Sequence, residues 1–158
     1  MADFSLVIVA GGSGSRMRSA TKKAFITLSG VSLLEHTVNA FRGIEGVAET
    51  VVVLPGEELA ELAGRADSVI DLDTARPGAD PLLQALAEAG VTRLARGGER
   101  RQDSVRNGLD ATSAEIENVL VHDAARPFVP RAGVLELMAK VRETGAGHHP
   151  QSPPPRHA

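Results

Sequence analysis

The feature that most constrains the fold of this chain is the alternation of short, continuously apolar runs with amphipathic ones. "FSLVIVAGG" is a β-branched run ending in Gly11 and Gly12, and "ETVVVLPG" repeats the pattern with almost every position apolar. Strands apolar on both faces belong in a sheet that is covered on both sides, and such sheets are parallel. Between them lie segments with helical spacing. "SLLEHTVNAF" sets Leu33, Leu34, Val38 and Phe41 on one side, and Ser32 with Glu35 makes a capping box. "EELAELAGRA" and "DPLLQALAEAG" read as further helices, the second stopped by Gly90. "SVIDL" reads as a short strand or an irregular segment, with Asp71 and Asp73 in a surface turn, and His36 on the first helix reads as structural or exposed. "VTRLAR" and "ENVLVHD" are strands and "RRQDSVRNGLDAT" starts a helix. A last helix, "RAGVLELMAKVRETG", carries an apolar face of Val134, Leu135, Leu137, Met138 and Val141. The expectation is an α/β fold, a Rossmann-like and mostly parallel sheet with helices on both faces, binding ligands at the carboxyl ends of its strands.

Composition narrows the function. The 158 residues suffice for one domain with a real core, and the lack of cysteine excludes disulfides and thiolate metal sites. No apolar run reaches the roughly 20 residues that cross a bilayer. The first residues carry an acid where a secretory leader would be basic, so a cytoplasmic location is the default expectation. A net charge of −3 argues against broad nucleic-acid binding. The cations are nonetheless clustered. "SRMRSATKK" holds Arg16, Arg18, Lys22 and Lys23 without an acid, a pattern suited to a small anionic ligand. From Gly147 the chain becomes "GHHPQSPPPRHA", without periodicity. Residues 1–147 are therefore expected to form the folded domain and 148–158 a disordered tail, whose His148, His149 and His157 lack a framework to hold a metal.

Three segments can carry chemistry. In "VAGGSGSRMRSATKK", glycines 11, 12 and 14 allow backbone amides to converge on a phosphate chain, and Arg16 with the Lys22–Lys23 pair supplies charge. The pattern matches neither the dinucleotide-binding fingerprint nor the Walker loop, and a flexible surface loop with incidental charge is the alternative. In "GGERRQDSV", Arg101 and Ser104 fall on the first turn of a helix, where they can meet a base edge, a ribose or a phosphate; an ordinary helix start with Asp103 on the dipole explains the segment equally well. In "HDAARP", Asp123 at a strand end is a natural Mg²⁺ ligand, Ala124 and Ala125 leave room, and Arg126 can clamp a phosphate; a capped turn with a solvated arginine is the alternative. His122 is expected to orient its neighbours rather than act as a base.

Together, "VIVAGGSGSRM" with "KKAF", "GGERRQDSVRNGL" and "VLVHDAARPFV" closely resemble the 2-C-methyl-D-erythritol 4-phosphate cytidylyltransferase family, within the sugar nucleotidyltransferase (glycosyltransferase-A-like) superfamily. The resemblance covers about residues 3 to 147. It implies transfer of a cytidylyl group from CTP to methylerythritol phosphate with release of pyrophosphate, in non-mevalonate isoprenoid synthesis. It implies that Ala10, Gly11, Gly12 and Gly14 line the CTP loop and that Arg16 and Lys23 are catalytic on the triphosphate. Gly98, Glu99, Arg101 and Ser104 would surround cytosine and ribose, Asp123 would bind Mg²⁺, and Arg126 would hold the acceptor. Lys22-Lys23-Ala24 replaces the family's usual Pro-Lys-Gln, and Ala10-Gly11-Gly12 its usual Ala-Ala-Gly. Family members are homodimers joined by an arm that follows this region, and the tail diverges where that arm should start. The expectation is thus a truncated member with weak CTP binding and catalysis that is very low or absent. A ribitol 5-phosphate cytidylyltransferase and a non-catalytic fragment or interaction module are the alternatives.

Overall fold

The structure is a computed structural model that describes residues 4–10, 23–64, 68–72 and 80–145. In chain order the elements are β1 (Phe4–Val9), β2 (Thr27–Leu28), β3 (Val31–Ser32), α1 (Leu33–Phe41), β4 (Val47–Leu54), α2 (Gly56–Ala63), β5 (Val69–Asp71), α3 (Pro81–Glu88), β6 (Arg93–Arg96), α4 (Arg101–Asp110), β7 (Asn118–Asp123) and α5 (Arg131–Thr144). The five longer-range strands form one sheet in the order β5-β6-β4-β1-β7, and β2 and β3 form a small antiparallel ribbon. β1, β4, β6 and β7 are mutually parallel, as expected of strands this uniformly apolar. β5 runs antiparallel to β6 at the edge, so Asp71, read from sequence as a turn residue, closes a strand opposite Arg93.

Local signals set the helix boundaries. Ser32 Oγ accepts from the Glu35 amide at 3.2 Å, while the Glu35 carboxylate accepts from the Ser32 amide at 2.9 Å, so the capping box starts α1. Asp80 accepts from the amides of Leu82 and Leu83 and starts α3, with Pro81 at the first helical position, where its missing N–H costs nothing.

The two sheet faces bury different things. Phe4, Leu6, Ile8, Val52, Leu54 and Leu94 point to one face and pack with residues of α1, α2, α3 and α5. Val7, Val9, Val51, Val53 and Ala95 point to the other, where α4 is the covering helix among those described. α4 lies very close to the strands. A methyl group on Gly108 would come within 2.5 Å of Val7 and 2.8 Å of Val53, so only glycine fits there without displacing them. On α5, Met138 is buried but Leu135 is 46% exposed, against the expectation that it joins the apolar face. Leu135 lies about 100° around the helix from Val134, on the shoulder of the stripe.

A buried polar cluster sits at the amino ends of the strands. Glu49 of β4, 7% exposed, accepts from Ser5 Oγ at 2.6 Å, Ser113 N at 2.6 Å, Ser113 Oγ at 2.9 Å and Arg93 Nη1 at 3.0 Å. Arg93 Nη1 also donates to the Ala111 carbonyl at 2.8 Å. Burial pushes the Glu49 carboxyl up, but the bonds from Ser5 and Ser113 and the charge of Arg93 outweigh it and hold the group below its ordinary value. The cluster joins the starts of β1, β4 and β6 to the segment that follows α4.

Candidate functional site

The strand order locates a crevice. The chain runs from β1 outward through β4 to β6 and then returns to β7 on the opposite side of β1. Sheets of this kind open at such a reversal, outside the carboxyl ends of the strands. Here the reversal separates β1 from β7, whose last paired residues are Val9 and Asp123. Ala10 leaves β1 with its amide bonded to the Val53 carbonyl at 2.8 Å, and Ala124 leaves β7 with its amide on the Val9 carbonyl at 3.0 Å. Both exits are buried and fixed by backbone bonds.

The turn after β7 is held from several sides. The Arg126 amide donates to the Asp123 carbonyl at 3.2 Å, closing the turn. His122 Nε2 lies 2.8 Å from the Arg126 carbonyl and its ring meets Phe41 edge-on at 4.9 Å, so it orients its neighbours as the sequence suggests. His36 has a similar structural place, with Nε2 3.0 Å from the Leu28 carbonyl. Thr37 of α1 is fully buried and donates through its hydroxyl to the Ala124 carbonyl at 2.6 Å. Sequence reasoning passed over Thr37. Its signal was a hydroxyl inside the stripe of Leu34, Val38 and Phe41, which requires a buried partner.

The start of α4 forms the second wall. The Gly97 amide bonds to the Leu54 carbonyl at 2.7 Å and Asn107 Nδ2 to the Arg96 carbonyl at 2.8 Å. Ser104 is fully buried, and its Oγ accepts from the Gly98 amide at 3.0 Å, so it fixes the loop that precedes the helix. A methyl group on Gly98 would lie 2.4 Å from the Asp103 Cβ, so the close approach of loop to helix requires glycine. The Arg100 guanidinium, bonded to Asp103 at 3.2 Å, holds that carboxyl below the usual carboxylate range. Glu99 is exposed on the same loop.

Arg101, the first residue of α4, reaches across to β7. Its Nη2 and Nε lie 2.8 and 3.2 Å from Asp123 Oδ1, and Arg126 Nε lies 3.6 Å from Oδ2. The structure thus brings Ala10, Gly98, Arg101, Ser104, Asp123 and Arg126 to the carboxyl edge of the sheet. Lys23 is exposed, with its carbonyl accepting from the Ile26 amide at 3.1 Å. Gly11, Gly12, Gly14 and Arg16 lie outside the described residues, as do Asp73 and the 148–158 tail.

Mg²⁺ requires hard oxygen donors and commonly takes one or two carboxylates with the rest from water and phosphate. Among the described residues no three acidic or imidazole groups converge. Asp123, with its side chain 40% exposed, offers a single carboxylate at the crevice. That donor set fits a cation shared with phosphate oxygens and does not fit an all-protein cage.

Residues 4–153 match the family model of IspD, 2-C-methyl-D-erythritol 4-phosphate cytidylyltransferase. The chain belongs to this family. The match runs past residue 147, where the sequence reading ended the resemblance. A bifunctional IspD/IspF enzyme of Clavibacter michiganensis is 36% identical over 150 residues, covering 95% of this chain and 33% of the relative. A 2-C-methyl-D-erythritol 4-phosphate cytidylyltransferase of Clostridium botulinum is 36% identical over 129 residues, covering 82% of this chain and 49% of the relative. The chain therefore spans between a third and a half of these relatives. The crystal structure of 4-diphosphocytidyl-2C-methyl-D-erythritol synthase from Anaerococcus prevotii superposes with a TM-score of 0.60 at 23% identity, covering 89% of this chain and 51% of that one, which supports the fold. No helix among the described residues is long and apolar enough to cross a membrane.

Proposed function

We propose that this chain carries the nucleotide side of a cytidylyltransferase site, which transfers the cytidylyl group of CTP to the phosphate of 2-C-methyl-D-erythritol 4-phosphate and releases pyrophosphate. The observation that carries the reading is the meeting of Asp123, Arg101 and Arg126 at the β1–β7 crevice in a chain of this family. In this reaction an acceptor phosphate oxygen attacks the α-phosphorus in line, the bond to the bridging oxygen breaks, and its electrons leave on pyrophosphate. The acceptor is already an anion, so no strong base is required. The protein's task is orientation and charge.

The residues divide this task. Ala10, whose amide is held by the Val53 carbonyl, lines the CTP loop at the end of β1. The backbone amides of Gly11, Gly12 and Gly14 would meet the triphosphate, and Arg16 and Lys23 would offset the charge that grows on its oxygens. Gly98 and Glu99 face the cytosine and ribose, backed by the buried Ser104, and Arg101 stands between the nucleotide and the crevice. Asp123 would hold Mg²⁺, which when bound would supply positive charge against the phosphates. Arg126 clamps the acceptor phosphate.

Calorimetry with CTP and a pyrophosphate-release assay test the proposal. The expected result is weak CTP binding that needs Mg²⁺ and falls at least tenfold in Asp123→Ala, with pyrophosphate release very low or absent when methylerythritol phosphate is added. A preference for ribitol 5-phosphate in the same assay would change the acceptor. Absence of any Mg²⁺-dependent CTP binding would sink the reading and leave a fold without this chemistry.

A further inference from the structure

Asp123 is the carboxylate that the proposed function gives to the metal, yet both of its oxygens already face cations. Oδ1 receives two nitrogens of Arg101 at 2.8 and 3.2 Å, and Oδ2 faces Arg126 Nε at 3.6 Å. A Mg²⁺ ion must approach a carboxylate oxygen to about 2.1 Å. A guanidinium at hydrogen-bond distance on the same oxygen obstructs that approach and repels the ion. The two arginines differ in how they are held. Arg126 sits three residues from Asp123 in the turn that its amide closes on the Asp123 carbonyl. Arg101 comes from another element, 22 residues away, and its side chain is 52% exposed. Both side chains are free to swing, Arg126's being 78% exposed, but among the two Arg101 alone holds Asp123 at hydrogen-bond distance.

We propose that Arg101 guards Asp123: it keeps the carboxylate closed to free divalent cations and releases it when a nucleotide phosphate offers the guanidinium a stronger partner. The inference rests on the nucleotide reading above and adds an order to it. A phosphate carries more charge than a carboxylate and accepts the planar guanidinium fork in the same bidentate manner. When phosphate takes Arg101, the freed Asp123 receives the cation that accompanies the phosphate. Asp123 exchanges one cation for another, while the phosphate gains Arg101 and shares its metal with Asp123. The exchange also makes the site selective for metal and nucleotide arriving together. An exposed arginine–carboxylate contact shifts a competing equilibrium by up to about fivefold, enough to bias entry and weak enough to be broken by phosphate.

The test uses Mn²⁺ alone, with the free ion followed by its electron paramagnetic resonance signal, so it does not depend on nucleotide binding or on activity. The 158-residue chain should bind Mn²⁺ weakly. Arg101→Gln should tighten it about three- to fivefold, and the gain should vanish in the Arg101→Gln/Asp123→Asn double variant. Arg101→Lys, which keeps the charge but loses the fork, should fall between. Arg126→Gln, which removes the more distant cation, should give a smaller gain than Arg101→Gln. Circular dichroism checks that each variant is folded, and the exposed Arg101 position should tolerate the change. Equal affinity in the parent and Arg101→Gln overturns the proposal. So does a gain that survives loss of Asp123, or one matched by Arg126→Gln, since net charge alone would then explain it. A protein that passes the Mn²⁺ test but shows no Mg²⁺-dependent CTP binding keeps the guard and loses the nucleotide reading; the converse loses only the guard.

Discussion

Two carboxylate–arginine pairs lie at opposite ends of the same sheet, with nearly equal bond lengths and different physical character. Glu49 and Arg93 meet at 3.0 Å at the amino ends of the strands, with the glutamate 7% exposed and bonded by two serines as well. Asp123 and Arg101 meet at 2.8 Å at the carboxyl ends, 40% and 52% exposed. Distance does not separate them. What separates them is the cost of parting. Opening the first pair leaves a buried charge with its donors unmatched, whereas opening the second lets water replace each partner. One end of the sheet is tied permanently, and the other can exchange its partners.

The largest effect that would break this contrast is on stability at the buried end. Glu49→Ala should cost about 2–3 kcal/mol, because it strands Arg93 and the donors of Ser5 and Ser113. In thermal denaturation of a chain this size that corresponds to a fall of about 5–10 °C. A loss within error would place Glu49 with the surface carboxylates. Acid should narrow the gap between the parent chain and Glu49→Gln. The Glu49 carboxyl lies below its ordinary value of 4.5, so its stabilising contribution is complete above that pH and is lost as pH falls through the lowered folded-state value. Urea titrations from neutrality to about pH 3 should show the two curves converging only below about pH 4.5. The smallest effect belongs to the exposed end. Asp123→Asn should change unfolding free energy by no more than about 0.5–1 kcal/mol while removing Mg²⁺-dependent CTP binding. A larger stability loss would make Asp123 a structural residue.

Much of this fold was legible because its signals are local. The Ser32–Glu35 box, the strand of residues 4–9 and the start of α4 at Arg101 each depend on residues within one turn or one strand, and each appears as read. Leu135 was misjudged because helical spacing groups residues by angle without saying how wide the covered stripe is. Glu49 was passed over for a different reason, since the partners that bury it lie 44 and 64 residues away. At the site, the type and place of Asp123 were readable from a strand ending in an acid and two small residues. Its pairing with Arg101 was not, because that contact exists only after α4 is laid across β1, β4 and β6.

The continuous pairing of β1 with β7 has a consequence for how this sequence can vary. Six successive residues pair without a bulge, from Phe4 with Asn118 to Val9 with Asp123. Side chains alternate between faces along a strand, so deleting or inserting one residue ahead of Asp123 turns every later side chain over or breaks the pairing. Such a deletion would bring His122 and Asp123 into each other's orientation, and the acid would leave the crevice although its codon survived. Along β7, then, substitutions are a matter of degree, while a change of length by one residue is all or nothing.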